Sequence, residues 1–356
     1  MNLITNNFNQ RRKLTIAVTG LNAIDSPGPG VAVIRAIRES ADFDVRIIGL
    51  SYEALEPGIY MQDVVDKTYQ IPYPSSGAEN LFHRLNYIHE IEKLDLVIPN
   101  FDAELFSFIK LKERLEKMGI HTFLPDLDQF EARHKTMLYR FGKKHHLMVP
   151  EDRLINQLSD LFKAAEVLDY PMVVKGKYYD ATIVHTKEEA QNAYYKLQAK
   201  WGLPVIAQKF INGTEINIAV LGDGKGNSIS VIPMRKLYIT DKGKAWAGIT
   251  IEDTAYLDLV QKFVKATKWR GGCELEIMLT SEGISYIMEV NPRFPAWIYL
   301  TAAAGQNQPE ALVRMALGEK VEPFTSYAVG KMFIRYAWDL ITDVSEFQKI
   351  SIQGEL

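Results

Sequence analysis

Gly271-Gly272-Cys273-Glu274-Leu275-Glu276-Ile277-Met278-Leu279, Thr280-Ser281-Glu282-Gly283 and Ile284-Ser285-Tyr286-Ile287-Met288-Glu289-Val290-Asn291-Pro292-Arg293 follow one another in the last third of the chain. Two apolar runs with strand chemistry flank a short polar segment containing glycine, which is the pattern of a β-hairpin. Side chains alternate faces along a strand, so Glu289 and Asn291 leave the second strand on one side. A turn centred on Ser281-Glu282-Gly283 makes Glu276 and Glu289 near cross-strand neighbours. Two carboxylates held together repel, and each costs free energy to bury alone. A divalent cation relieves both. Magnesium in particular favours a few hard oxygen ligands shared with phosphate. Arg293, two residues past Asn291, points the same way and can hold a phosphate or carboxylate. The plainer alternative is an edge hairpin with solvated glutamates and a chance Asn-Pro turn.

Glu276, Met288-Glu289-Val290-Asn291-Pro292-Arg293 and Thr301-Ala302-Ala303-Ala304-Gly305 together resemble the ATP-grasp superfamily, in particular the branch of biotin carboxylase and the carbamoyl phosphate synthetase large subunit. The resemblance implies that Glu276, Glu289 and Asn291 bind Mg²⁺ or Mn²⁺ and that Arg293 lies beside the ATP phosphates. It also implies a fold of mixed α/β and α+β class. A Rossmann-like parallel α/β domain (1–125) would precede a two-lobed ATP-grasp unit with a small lid (126–210) and a C-terminal lobe (211–356).

A chain of 356 residues is long enough for such an arrangement, and a net charge of −3 does not point to nucleic acid as a partner. The single cysteine, Cys273, excludes an internal disulfide or a cysteine zinc cluster and reads as a small core residue. No apolar run reaches the length of a membrane span, and Met1 to Arg12 is not a secretory signal, so a cytoplasmic protein is expected. Dimers are common among soluble enzymes, and a homodimer is an open possibility.

Upstream, Lys13–Gly20 reads as a strand that runs through a glycine-bearing loop into a helix over Val31–Ser40. Further strands are expected at Asp44–Ser51, Leu94–Asn100 and His121–Pro125, with helices at Glu79–Lys93 and Asp102–Met118. This alternation predicts a parallel sheet covered on both faces. A nicotinamide-binding domain is the rival reading, but the loop from Gly20 to Gly30 lacks the required glycine spacing and holds two prolines. Asp102 follows a strand's C-terminal end, where ligands bind in such sheets; it is equally an N-cap candidate.

Asp126–Phe141 reads as one helix broken at Gly142, and Leu154–Leu168 as another. A hairpin over Tyr170–Val184 leads to Thr186-Lys187-Glu188-Glu189, a capping box. Lys175 lies inside an apolar strand, where burial without an anionic partner is expensive. The resemblance makes Lys175 a contact of the α- and β-phosphates and brings Lys135 into the nucleotide site, where residue chemistry alone would leave Lys135 on the surface. Relatives often follow this lysine with a glycine-rich loop. Here Lys177, Tyr178, Tyr179 and Asp180 occupy it, and the Lys177 charge can replace some backbone contacts. The resemblance further assigns Gln208, Lys209, Phe210 and Ile211 to adenine and Glu215 to ribose, Glu215 being otherwise an exposed turn residue. Arg235 and Lys236 lie on a later strand, and Arg235 is a candidate for stabilising phosphoryl charge or a substrate carboxylate. Asp241–Ile251 is expected to form a loop near the substrate, Tyr256–Trp269 a helix, and Gly330–Asp339 a closing strand.

The activity implied is an ATP-dependent ligase that makes an acylphosphate from a small-molecule or peptide carboxylate and couples it to an amine. Alternatives are a carboxyl- or carbamoyl-phosphate-forming enzyme, a nicotinamide-dependent oxidoreductase, and a nucleotide-binding protein without catalysis.

Overall fold

β-Branched and aliphatic runs at the N-terminal end pair into a parallel sheet. Its strands are β1 (Arg12–Val18), β2 (Phe43–Ser51), β3 (Lys67–Gln70) and β4 (Leu96–Ile98), in spatial order β3-β2-β1-β4. The computed structural model describes residues 11–24, 26–240, 243–252 and 254–356. Successive residues of one strand feed different cores: Ile16 and Val18 pack with α1 (Gly30–Arg38), whereas Ala17 joins α2 (Ala78–Glu92) and α3 (Asp102–Lys117). Such two-sided burial explains the continuous apolar runs. The strand expected at His121–Pro125 is reduced to a bridge between Leu96 and His121. The carbonyls of Thr122 and Leu124 instead accept hydrogen bonds from the Arg270 guanidinium (3.2 and 3.0 Å). The opposite edge, beside β2, is formed by β3, too short and polar to stand out in the sequence.

Asp126–Phe141 forms two helices rather than one, α4 (Leu127–Ala132) and α5 (Lys135–His145). The break falls at Arg133-His134, and α5 runs straight through Gly142. That glycine is a packing residue: a Cβ there would lie 2.5 Å from Val149 Cγ2. The consequence for the site is that Lys135 begins a helix and reaches forward from its first turn.

A small antiparallel sheet follows, β5 (Asp152–Ile155), β6 (Met172–Lys175), β7 (Ala181–Val184) and β8 (Val205–Lys209), in order β5-β8-β6-β7. Helices α6 (Leu158–Leu168) and α7 (Lys187–Trp201) cover one face through Leu161, Ala164, Ala190, Tyr194 and Leu197. Helix α6 starts later than the sequence suggests because Leu154 and Ile155 are drawn into the ladder with β8. Thr186 Oγ1 accepts from the Glu189 amide (3.2 Å), as a capping residue should, while the Glu189 carboxylate accepts from the His185 amide.

The remaining strands, β9 (Thr214–Asp223), β10 (Ser228–Ile239), β11 (Ala245–Thr250), β12 (Arg270–Leu279), β13 (Ser285–Asn291) and β14 (Met332–Ile334), form an antiparallel sheet. Their order is β13-β12-β9-β10-β11-β14. Helix α8 (Thr254–Thr267) packs Val260, Phe263 and Val264 on Cys273, Leu275 and Ile277. Cys273 is fully buried, and burial pushes its thiol pKa up. The run after the hairpin divides into α9 (Tyr299–Ala303) and α10 (Gln308–Ala316), the latter with a proline in its first turn. The closing strand is only three residues long, and α11 (Val344–Gln353) then returns to the first sheet. There Leu356 exchanges backbone hydrogen bonds with Thr68 (2.8 and 3.0 Å), so the last residues sit beside β3. Among the described residues no helix is long and apolar enough to cross a membrane.

Candidate active site

The hairpin β12–β13 sets Glu276 directly opposite Glu289 and Glu274 opposite Asn291. A one-residue bulge follows, since Ile277 pairs with Ile287 and Met288 is the extra residue. Leu275 and Ile277 face the α8 core, so Glu274 and Glu276 share the opposite face with Glu289 and Asn291. That face lines a cleft of about 1260 Å³ bounded by strands of the second and third sheets and by the loops that follow β2 and β4 of the first. Asn291 Nδ2 donates to Glu274 Oε2 and Glu276 Oε1, both at 3.2 Å, which turns its oxygen away from both carboxylates. Glu274 is also held by Asn217 Nδ2 (3.0 Å) and Trp297 Nε1 (2.8 Å). It braces the others rather than facing a ligand.

Burial, with the charges of Glu274 and Glu289, raises the Glu276 pKa against the opposing pull of Lys236. This face is therefore short of positive charge. Lys135 Nζ lies 3.2 Å from Glu289 Oε2. Lys175 is buried, which together with the Lys135 charge lowers its pKa to about 8. Burial works against the charge of Arg293, but Asp102, Glu274, Glu276 and Glu289 outweigh it and raise its pKa. Arg293 Nη2 reaches Asp102 Oδ2 at 3.4 Å, so Asp102 is no N-cap; Phe101 holds that position at the start of α3.

Other expected residues are placed differently. Arg235 is exposed and faces away; Lys236, one residue on, lines the cleft and pairs with Glu215. A one-residue step along a strand reverses the face, so the two neighbours lie on opposite sides of the sheet. Lys177 donates to the Leu203 carbonyl (3.1 Å) and does not line the cleft. The loop after Lys175 is instead pinned by Asp180, which accepts from Lys200 Nζ (2.7 Å) and Trp201 Nε1 (2.8 Å), and Tyr179 faces the cleft. Gln208 is buried opposite Asp152. Burial pushes the Asp152 carboxyl up to about 6. The Lys209 amide already donates to the Glu151 carbonyl (2.8 Å), whereas Phe210 and Ile211 have no backbone partner among the described residues. Residues 241 and 242 of the expected substrate loop lie outside the described residues.

Glu274 and Asn217 do not stand out in the sequence as site residues. Glu274 was within reach of it, being two residues from Glu276 and hence on its face. Asn217 carries no signal of its own, since only the β9–β12 register (Glu276↔Asn217) sets it there.

Among the described residues no three His, Cys, Asp or Glu side chains converge as a metal cage. Glu276 and Glu289 are the facing oxygen donors, and Asn291, whose Nδ2 now points at Glu276, would have to turn its amide over to add its oxygen. This donor set fits a Mg²⁺ that takes its other ligands from phosphate and water.

A protein-family profile described as "ATP-grasp in the biosynthetic pathway with Ter operon" matches residues 203–333. Biotin carboxylase of Campylobacter jejuni, in a complex with an ATP compound, superposes with a TM-score of 0.69 over 89% of this chain and 74% of that one, at 16% identity. The chain carries the ATP-grasp fold. Among curated ATP-grasp relatives, the carbamoyl phosphate synthase large chain of Clostridium beijerinckii is 25% identical over 292 residues. That match takes in 73% of this chain but 25% of the relative, so the chain spans about a quarter of that protein. The D-alanine–D-alanine ligase of Verminephrobacter eiseniae is 26% identical over 198 residues, covering 50% of this chain and 60% of the ligase.

Proposed function

We propose that this ATP-grasp protein is a ligase that activates a carboxylate with ATP and joins it to an amine. The observation that carries the reading is the facing pair Glu276–Glu289 with Asn291 on the same face, inside a cleft that also holds Lys135 and Arg293. Phosphoryl transfer needs positioning and charge more than a covalent nucleophile.

In this reading Lys135 and Lys175 orient the triphosphate, and the hinge at Phe210 and Ile211 offers backbone groups to the base. Glu276, Glu289 and Asn291 would hold Mg²⁺ or Mn²⁺, which when bound offsets charge on the β- and γ-phosphates. A substrate carboxylate oxygen attacks the γ-phosphorus and ADP leaves. The amine nitrogen then displaces phosphate from the acylphosphate, giving an amide. Arg293 stabilises the acylphosphate and its oxyanion, and Lys236 takes the role first assigned to Arg235. Glu215 retains a ribose role only by sharing its carboxylate with Lys236. The reading includes a cytoplasmic homodimer with parts 1–125, 126–210 and 211–356, the last helix docking back on the first part.

The test is ADP release from Mg·ATP with panels of carboxylates and amines, followed by mass spectrometry. Turnover that needs both partners and yields a condensed product supports the ligase. ADP release with bicarbonate alone would turn the assignment to a carboxyphosphate-forming enzyme, and saturable NADPH binding without ATP binding would remove both.

A further inference from the structure

Two bases beside the hairpin have carboxylates of their own: Arg293 pairs with Asp102 (3.4 Å) and Lys236 with Glu215. Lys135 is different. Its Nζ sits on Oε2 of Glu289 (3.2 Å), and among the described residues this is the only ion pair made by Glu274, Glu276 or Glu289. The two side chains are 23% and 32% exposed, so salt screens the pair less than one on the open surface. Glu276 is engaged in a similar way, since Asn291 Nδ2 donates to its Oε1 (3.2 Å). Each facing carboxylate of the hairpin thus carries a donor of the protein's own, an ammonium on one and an amide on the other.

These donors and a divalent cation compete for the same oxygens. At Glu276 the competition is mild, because the amide is neutral and can turn. At Glu289 a full positive charge stands beside the candidate ligand oxygen, and two cations on one carboxylate repel. The charge of Lys135 also bears on buried Lys175, so positive charge is already crowded there. Lys135 has a way out. It is the first residue of α5, its ammonium ends a flexible four-carbon stem, and it lines the cleft. A triphosphate offers it oxygens of higher charge than Glu289 does, and the same movement frees Glu289.

We propose that Lys135 is a stand-in for the metal: it holds Glu289 until a nucleotide takes its ammonium, so that metal and triphosphate load together and free divalent cations bind poorly. The inference rests on the metal and nucleotide assignments of the ligase reading and adds an order of loading to them. By linkage, the factor by which nucleotide strengthens metal binding is the factor by which metal strengthens nucleotide binding.

Mn²⁺ binding to the full chain without nucleotide, followed by electron paramagnetic resonance, tests it. Lys135→Met is expected to bind Mn²⁺ about tenfold tighter than the parent, the low end of the about 1–3 pKa units by which a near charge shifts a carboxylate. Lys135→Arg keeps the pair and is expected to stay within about twofold of the parent. The same is expected of Lys244→Met, which removes a cleft charge that pairs with no hairpin carboxylate. ATP affinity, measured by calorimetry in excess chelator, is expected to fall about tenfold in Lys135→Met. General loosening of the site would weaken both ligands, whereas the stand-in moves them in opposite directions. Mn²⁺ affinity unchanged or lower in Lys135→Met, or raised equally in Lys244→Met, overturns the proposal. Mn²⁺ retained by the Lys135→Met/Glu289→Gln double variant overturns the metal assignment, and the stand-in with it. Failure of carboxylate–amine condensation removes the ligase reading instead, and the two titrations read independently of it.

Discussion

At the scale of the residue, the site is governed by what burial does to charge. Glu276 and Glu289 face each other across two strands, and burial with neighbouring carboxylates raises the Glu276 pKa. Loss of a partner that merely supports a metal ligand costs about 10–100-fold, so loss of a ligand should exceed about a hundredfold. Glu289→Gln is therefore expected to abolish Mg·ATP turnover in an ADP-release assay while leaving the melting temperature level or higher, because it removes a like-charge pair. Undiminished turnover would refute the metal assignment. Lys175 supplies the pH dependence. Its pKa of about 8 lies below the ordinary 10.5, so between those values the native chain binds fewer protons than the unfolded one. The stability penalty of this buried ammonium is thus fully present below pH 8 and relieved as pH rises towards 10.5. In its proposed role as a phosphate contact Lys175 must be charged, so nucleotide binding is expected to run the opposite way. Calorimetry should show ATP affinity falling above about pH 8, and Lys175→Met should flatten that fall.

At the scale of the element, alternation along strands decides which residues share a site. Reading period two from Glu289 to Asn291 was enough to bring the metal candidates together, and the observed register agrees with it. The same rule puts Arg235 and Lys236 of β10 on opposite faces, and Lys236 is the one that lines the cleft. Activity assays on the two should separate them. Arg235→Met is expected to stay within about twofold of the parent because its face is solvent. Lys236→Met is expected to lose about tenfold or more, as it strips the partner from Glu215 and a positive charge from beside Glu276. Equal losses would place the strand in another register. Helix ends were less legible. Gly142 reads as a breaker by propensity but is required by contact with Val149, a constraint set by a segment outside its own helix.

At the scale of the whole molecule, the chain ends where it began, with Leu356 beside Thr68. Between β14 and α11 runs an arm on which Tyr336, Trp338 and Ile341 are 79%, 88% and 89% exposed. It continues an edge strand at the end of the third sheet, and apolar exposure on that scale marks a contact surface. Light scattering after size exclusion is expected to report a dimer, and Trp338→Asp a monomer with unchanged melting temperature; a monomeric parent would remove the homodimer. The sequence by itself determined the hairpin, its acidic face, the buried cysteine and the α/β opening, because strand alternation and apolar runs are local patterns carried by neighbouring residues. Only the tertiary structure decided that Asp102, Lys135 and Arg293 meet at one cleft, that Lys177 turns away, and that His121 adds a bridge rather than a strand to the first sheet. Burial and charge coupling act through space between residues far apart in the chain, and no local pattern records them.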